Sequence, residues 1–251
     1  MILVVDGNNV FSRFWHANPI GTSDKIFDLV YRVAGLKFRG DVEGELVTFG
    51  QTLFAFDSDT LFRHQLDPKF KASGGDDSDL LDALEFFRDK CVERGVAVCC
   101  SGYLAADVLA SYSNRYDGNV MMVTSGSVCR QALVDGRVSI VASLKLNAKD
   151  RPNFYRSQDF VARYDFAPER WADYLALKAV PKIGEVAAAK IVKRYFDLLA
   201  MADSSPADWP VNSGQRASLI DWFTSGRWKI DSQLYTLEGG LEVPLARKVV
   251  A

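Results

Sequence analysis

The chain has 251 residues, 48% hydrophobic and 25% charged, with a net charge of −2. That length supports one large domain or two small ones with a buried core, and the balance excludes a disordered chain. No apolar run is long enough to span a bilayer, and near-neutral charge argues against coating of nucleic acid by bulk charge, though not against a local basic patch.

The opening MILVVDGNN has no basic region and no cleavage site, so it does not read as a secretory signal. Cys91, Cys99, Cys100 and Cys129 form no CxxC pair, and there are only 2 His. A disulfide scaffold and a structural zinc site of the usual spacing are not expected. The expected setting is a reducing cytoplasm.

ILVVD (2–6) reads as a buried strand that ends on Asp6 and passes into a loop at Gly7. Residues 24–38 place Ile26, Phe27, Val30, Val33 and Leu36 near helical spacing. TLFAF (52–56) is a second strand, closing on Asp57. A polar, Gly-rich stretch from Ser73 to Asp79 precedes an amphipathic helix, LLDALEFFRDKCVERG. VAVCC (96–100), NVMMVT (119–124) and residues 138–141 read as further strands, with a short helix from Ala105 to Asn114. Strands alternating with helices imply a mostly parallel central sheet with helices on both faces. In such sheets ligands bind at the carboxyl ends of the strands, where Asp6 and Asp57 would converge.

From about residue 165 the pattern turns helical, with an extended tail. The expected division is an α/β domain over 1–164 and a helical portion over 165–251. Within the latter, LKAVPKIGEVAAAKIVKRY reads as helix, tight turn, helix. Pro181 stops the first helix. Gly184 permits a backbone conformation or a close approach that a side chain would block. Ala187, Ala188 and Ala189 keep the second helix slim. Its first N–H groups, with Lys182, Lys190, Lys193 and Arg194 nearby, suit a phosphate. This is the helix-hairpin-helix pattern, which grips duplex backbone without reading sequence. The bland alternative is a plain helical hairpin with exposed lysines.

The order of motifs resembles the flap endonuclease and 5′–3′ exonuclease family, which has a PIN-like fold. ILVVDGNNVFSRF (2–14), FAFDSDTLFRHQLDPKFKA (54–72), GYLAADVLASYS (102–113) and VMMVTSGSVCRQAL (120–133) look like its first four motifs. DYLALKAVPKIG looks like the start of its helix-hairpin-helix. The resemblance covers most of residues 1–200, in order. The DPKFKA wording is most similar to bacteriophage exonucleases and to the 5′-nuclease domain of bacterial DNA polymerase I. That implies a phage source, and so a host cytoplasm.

The family's chemistry uses clustered carboxylates that hold two divalent ions about 4 Å apart. Hard oxygen ligands suit Mg²⁺ or Mn²⁺. By resemblance, Asp6, Asp57 and Asp107 match catalytic, metal-ligating positions. The rest of the cluster is missing. Leu104 and Ala106 stand where the third motif has a Glu and an Asp, and Gly126 and Val128 where the fourth has two Asp. No Asp or Glu lies between Asp117 and Asp135. Three carboxylates could hold at most one ion. Asp59, Asp76, Asp77, Asp79 and Asp117 are the candidate replacements, a solvated loop acid being the commoner explanation for each.

The resemblance also implies DNA contacts at Arg63, Lys69 and Lys71 beyond the second strand, at Arg13 after the first motif, and at Lys182, Ile183, Gly184, Lys190, Lys193 and Arg194 in the hairpin. ASGGDDSD stands where the family has a basic arch, and its acids would repel a threaded single strand. Asp6, Asp57 and Asp107 have a structural alternative as helix caps, favoured for Asp107. The five Trp and both His are read as core or incidental residues.

The expected function is sequence-independent, structure-dependent binding of duplex, nicked or flap DNA by a degenerate member, as an accessory beside replication or recombination proteins. The first alternative is an active 5′–3′ exonuclease or flap endonuclease with a reduced metal site. The second is a protein-interaction scaffold.

Overall fold

The first strand, β1 (Ile2–Asp6), is buried on both faces, which explains its unbroken apolar run. The computed structural model describes residues 1–35, 38–39, 46–47, 51–70, 78–146 and 152–243. The chain continues through α1 (Gly7–Ala17), α2 (Thr22–Gly35), the short β2 (Phe38–Arg39) and β3 (Leu46–Val47), and β4 (Gln51–Phe56). Then come α3 (Arg63–Leu66), α4 (Ser78–Glu93), β5 (Ala97–Cys99), α5 (Ala105–Arg115), β6 (Val120–Val123), β7 (Val138–Leu146), β8 (Pro152–Tyr155) and α6 (Ser157–Tyr164). The rest is helical: α7 (Trp171–Ala179), α8 (Glu185–Arg194), α9 (Leu198–Ala202), α10 (Ser213–Thr224) and α11 (Arg227–Tyr235).

The main sheet has six strands in the order β5-β4-β1-β6-β7-β8. All neighbours run parallel except β7 and β8. The mostly parallel sheet is therefore present. The chain works outward from β1 to one side, then crosses to the other, so the switch in strand order falls at β1, where open sheets of this kind form their crevice.

Alternation along β1 feeds two cores. Leu3 and Val5 join Phe11, Ile26, Phe27, Phe54 and Phe87 under α1, α2 and α4. Phe54 and Phe87 meet edge to face at 5.6 Å. Each is fully buried, and such burial stabilises by roughly 1.5–3 kcal/mol. Ile2 and Val4 join Leu53, Ala55, Leu109, Trp171 and Leu177 on the other face. That second core continues through Ile191 to Trp222, so the helices after residue 165 pack on the same apolar mass as the sheet. Trp171 also donates its indole N–H to the Ser127 carbonyl at 2.7 Å.

The loop expected after Asp6 is instead α1, which starts at once on Gly7. Val10, Phe11 and Phe14 carry its apolar face, a signal masked by the polar GNN start. A Cβ at Gly7 would lie 2.6 Å from the Phe56 ring and 2.9 Å from the Ala55 carbonyl oxygen, so only glycine lets α1 approach β4. β8 and α6 carry no strong period and were not expected. Among the described residues no helix is long and apolar enough to cross a membrane.

Candidate functional site

Parallel pairing sets Asp6 opposite Ala55, so Asp57 lies just beyond, at the same carboxyl edge. Both line a cavity of about 590 Å³. Asn8 and Asn9 fix this edge. The Asn8 side-chain oxygen accepts the Asp57 N–H at 2.9 Å. The Asn9 oxygen accepts from the Ser125 N–H at 2.9 Å and from its hydroxyl at 2.8 Å. Sequence reasoning assigned neither a role, although the polar pair directly after a strand-end Asp was the available signal.

Each expected carboxylate serves a helix start. Asp6 Oδ1 accepts the Asn9 N–H at 3.1 Å, capping α1, and its Oδ2 accepts the Thr124 hydroxyl at 2.9 Å. Asp57 Oδ1 accepts the Ala105 N–H at 2.7 Å, at the first residue of α5. Asp107 reaches back to the Leu104 N–H at 2.9 Å.

Asp107 differs from the other two. It is 0% exposed and forms a bidentate ion pair with Arg63, at 2.5 and 2.8 Å. Its Oδ1 also accepts the Glu238 N–H at 2.9 Å. Four donors fill a carboxylate's acceptor capacity. Arg63 is itself fully buried, and it further donates to the carbonyls of Leu234 at 3.0 Å and Thr236 at 2.7 Å. The expected ligand and the expected DNA contact thus neutralise each other beneath the segment that follows α11. Arg63 borders the cavity with its guanidinium committed to these bonds, and Asp107 is not among the lining residues.

Leu104, Ala106, Gly126 and Val128 all line the cavity with Asp6 and Asp57. A Cβ built at Gly126 would stand 3.1 Å from Thr124 Oγ1 and 3.9 Å from Asp6 Oδ2, so this position adjoins Asp6. Leu80, Leu84, Leu234 and Leu237 extend the apolar wall. Among the described residues no group of three or more His, Cys, Asp or Glu is placed to hold a metal ion. Two carboxylates among leucines do not fit a two-ion centre. Of the proposed replacements, Asp59 pairs with Arg88 at 3.2 Å, Asp79 is exposed in the first turn of α4, and Asp117 precedes β6 at the opposite edge. Asp76 and Asp77 lie outside the described residues.

Arg13 lines the cavity and donates to the Ala142 carbonyl at 2.6 Å. Lys69 is exposed beside Asp67. Lys71 lies outside the described residues.

In the hairpin, α7 ends at Ala179, with Val180 as its C-cap, and α8 begins after Gly184. Gly184 has φ −87°, and a Cβ there would meet nothing within 4 Å, so the fold does not demand glycine. The left-handed residue is Lys182, at φ 68°. Ile183 is buried and its N–H is bonded to the Val180 carbonyl at 3.1 Å, so it anchors the turn and offers no group outward. Ala187 and Ala188 are buried, as a slim helix requires. Among the described residues no side chain caps α8. Lys190, Lys193 and Arg194 are exposed, with Lys193 pairing to Asp165 at 2.9 Å.

No family model matches the chain, and no curated protein matches it. Solved structures do. A zinc-bound bacteriophage T5 5′-exonuclease is similar at TM-score 0.70 and 17% identity, over 94% of this chain and 89% of that one. A complex of the T5 D15 flap endonuclease with DNA and metal ions is similar at TM-score 0.65 and 17% identity, over 95% and 89%. The catalytic core of Rad2 with DNA substrate follows at TM-score 0.57 and 15% identity, over 94% and 77%. The chain has the fold of these 5′-nucleases.

Proposed function

We propose that this chain is a pseudonuclease: it binds DNA by structure and not by sequence, through a 5′-nuclease fold with a degenerate site, as an accessory in replication or recombination. The observation that carries the reading is the lining of the cavity. Leu104, Ala106, Gly126 and Val128 surround Asp6 and Asp57, and Asp107 is held by Arg63. A phosphodiester brought there would meet two carboxylates without the ions that offset them.

Duplex binding rests on the helix-hairpin-helix reading of α7 and α8, within residues 165–251. The uncapped start of α8 and the exposed Lys190, Lys193 and Arg194 suit backbone phosphates. The open space before Gly184 leaves room for one. Lys182, with Lys69 and Arg13 nearer the cavity, adds exposed cations.

The test is binding and cleavage of a nicked duplex and a 5′-labelled flap, with Mg²⁺ and with Mn²⁺, beside Asp6→Ala. Binding without cleavage is expected, weakened at low salt by Lys190→Ala and Lys71→Ala. Cleavage that needs metal and is lost in Asp6→Ala would establish the nuclease alternative. Absence of binding and cleavage would leave the scaffold.

A further inference from the structure

The exposed face of α8 ends on an aromatic ring. Lys190, Lys193 and Arg194 stand at i, i+3 and i+4, on one side of the helix. Just past them Phe196 is 85% exposed. A phenylalanine held in water forgoes the stabilisation that burial gives. The ring borders a concavity of about 450 Å³ shared with Phe166, Arg170, Lys193, Arg194 and Tyr195. One wall is firmly built, since Arg170 donates to the carbonyls of Tyr195 at 2.7 Å and Val192 at 3.3 Å and to Asp173 at 2.9 Å.

An open π face beside an ammonium and a guanidinium selects a narrow chemistry. An acidic peptide would use the cations and leave the ring idle. An apolar partner helix would use the ring and strand the cations. A nucleotide uses both, because its base stacks and its phosphates meet the charges. We propose that this concavity holds one unpaired nucleotide of a strand whose duplex portion lies on the hairpin. The inference rests on the DNA reading above and adds to it a preference for a tailed or gapped substrate. α8 has 10 residues and so is about 15 Å long. That is about four base steps at about 3.4 Å each, which sets the distance from hairpin to unpaired base. Asp165 also lines the concavity and holds Lys193 at 2.9 Å, so it competes with the incoming phosphate.

The experiment compares binding of a blunt duplex and of the same duplex with a single-stranded tail, by fluorescence anisotropy, using the full chain. A 2-aminopurine in the tail reports stacking. The tailed duplex is expected to bind about tenfold more tightly, and Phe196→Ala to erase that preference while blunt binding is unchanged. Phe196→Tyr should retain the preference, and Asp165→Asn should strengthen tail binding. The site is overturned if blunt duplex binds but Phe196→Ala keeps the full preference. It is equally overturned if Phe196→Ala turns a dimer into a monomer in sedimentation with the preference intact, which would make the ring an interface between copies. Failure of wild type to bind any duplex would instead sink the DNA reading itself.

Discussion

Arg63 and Asp107, 44 residues apart in sequence, form a bidentate ion pair with no solvent exposure on either side chain. The pair ties the chain after β4 to the start of α5. Through Leu234, Thr236 and Glu238 it also ties both to the C-terminal segment. Removing one partner leaves an uncompensated buried charge. Asp107→Asn should therefore cost about 3–5 kcal/mol in denaturant unfolding. The double variant Arg63→Met with Asp107→Leu removes the lone charge but should recover only part of that loss, because the backbone groups of Leu104, Leu234, Thr236 and Glu238 lose their partners. A fully stable Asp107→Asn that abolished metal-dependent cleavage would instead make Asp107 a ligand.

The cavity itself offers a gain-of-function test. Leu104→Glu, Ala106→Asp, Gly126→Asp and Val128→Asp together would surround Asp6 and Asp57 with oxygens. Leu104 and Ala106 are nearly buried, so the added acids should destabilise the metal-free chain by mutual repulsion and desolvation. Mn²⁺ should then raise its stability, by about 2.7 kcal/mol at a hundredfold excess over Kd. Wild type should show no such rise in the same titration. A wild-type melting temperature that climbs equally with Mn²⁺ would mean that the existing carboxylates suffice.

Periodicity and strand ends made the sheet legible, because buried parallel strands must be apolar runs and Asp is conspicuous where one stops. The site was legible as a resemblance and as an absence. Leu104, Ala106, Gly126 and Val128 were placed by register within short motifs, and the structure gathers all four on one cavity. Arg63 was not legible. A basic residue after a strand reads the same whether it faces DNA or a buried acid, and its partners Leu234 and Thr236 are 171 and 173 residues away. At Gly184 the backbone is ordinary and the left-handed turn residue is Lys182; a side chain rarely advertises that conformation. Phe196 was passed over because apolar residues beside helices default to burial.

Glu185 supplies a prediction with an unusual sign. It opens α8 and accepts from Lys178 Nζ at 2.9 Å. Lys178 holds its carboxyl below the usual range, so Glu185 is charged throughout neutral pH. That charge suits the helix dipole but opposes a phosphate at the same place. Glu185→Gln should raise duplex affinity about two- to fivefold at low salt, since it removes an exposed negative charge from the place a phosphate would take. The salt dependence should steepen as Lys178 is released to a phosphate. Anisotropy titrations at several salt concentrations measure both. Unchanged affinity would remove the start of α8 from the DNA surface.

Asp67 and Arg227 set an acid limit on stability. Arg227 donates to Asp67 at 2.6 Å and to Asp231 at 2.8 Å, and Asp231 accepts the Trp222 indole N–H at 2.7 Å. This chain of bonds fastens the loop carrying Lys69 to α10 and α11. The Arg227 hydrogen bond, with that of the Lys69 N–H, pulls the Asp67 carboxyl below its ordinary value of 3.8. A carboxylate lowered by folding stabilises above its unfolded value and loses that contribution as pH falls through its folded one. Asp67→Asn should therefore be less stable than wild type at pH 6, with the gap closing below about pH 4 as the wild-type carboxylate is protonated and its charged pair is lost. Urea midpoints across that range measure it. A gap that persists undiminished at the acid end would show that the ion pair is not what Asp67 contributes.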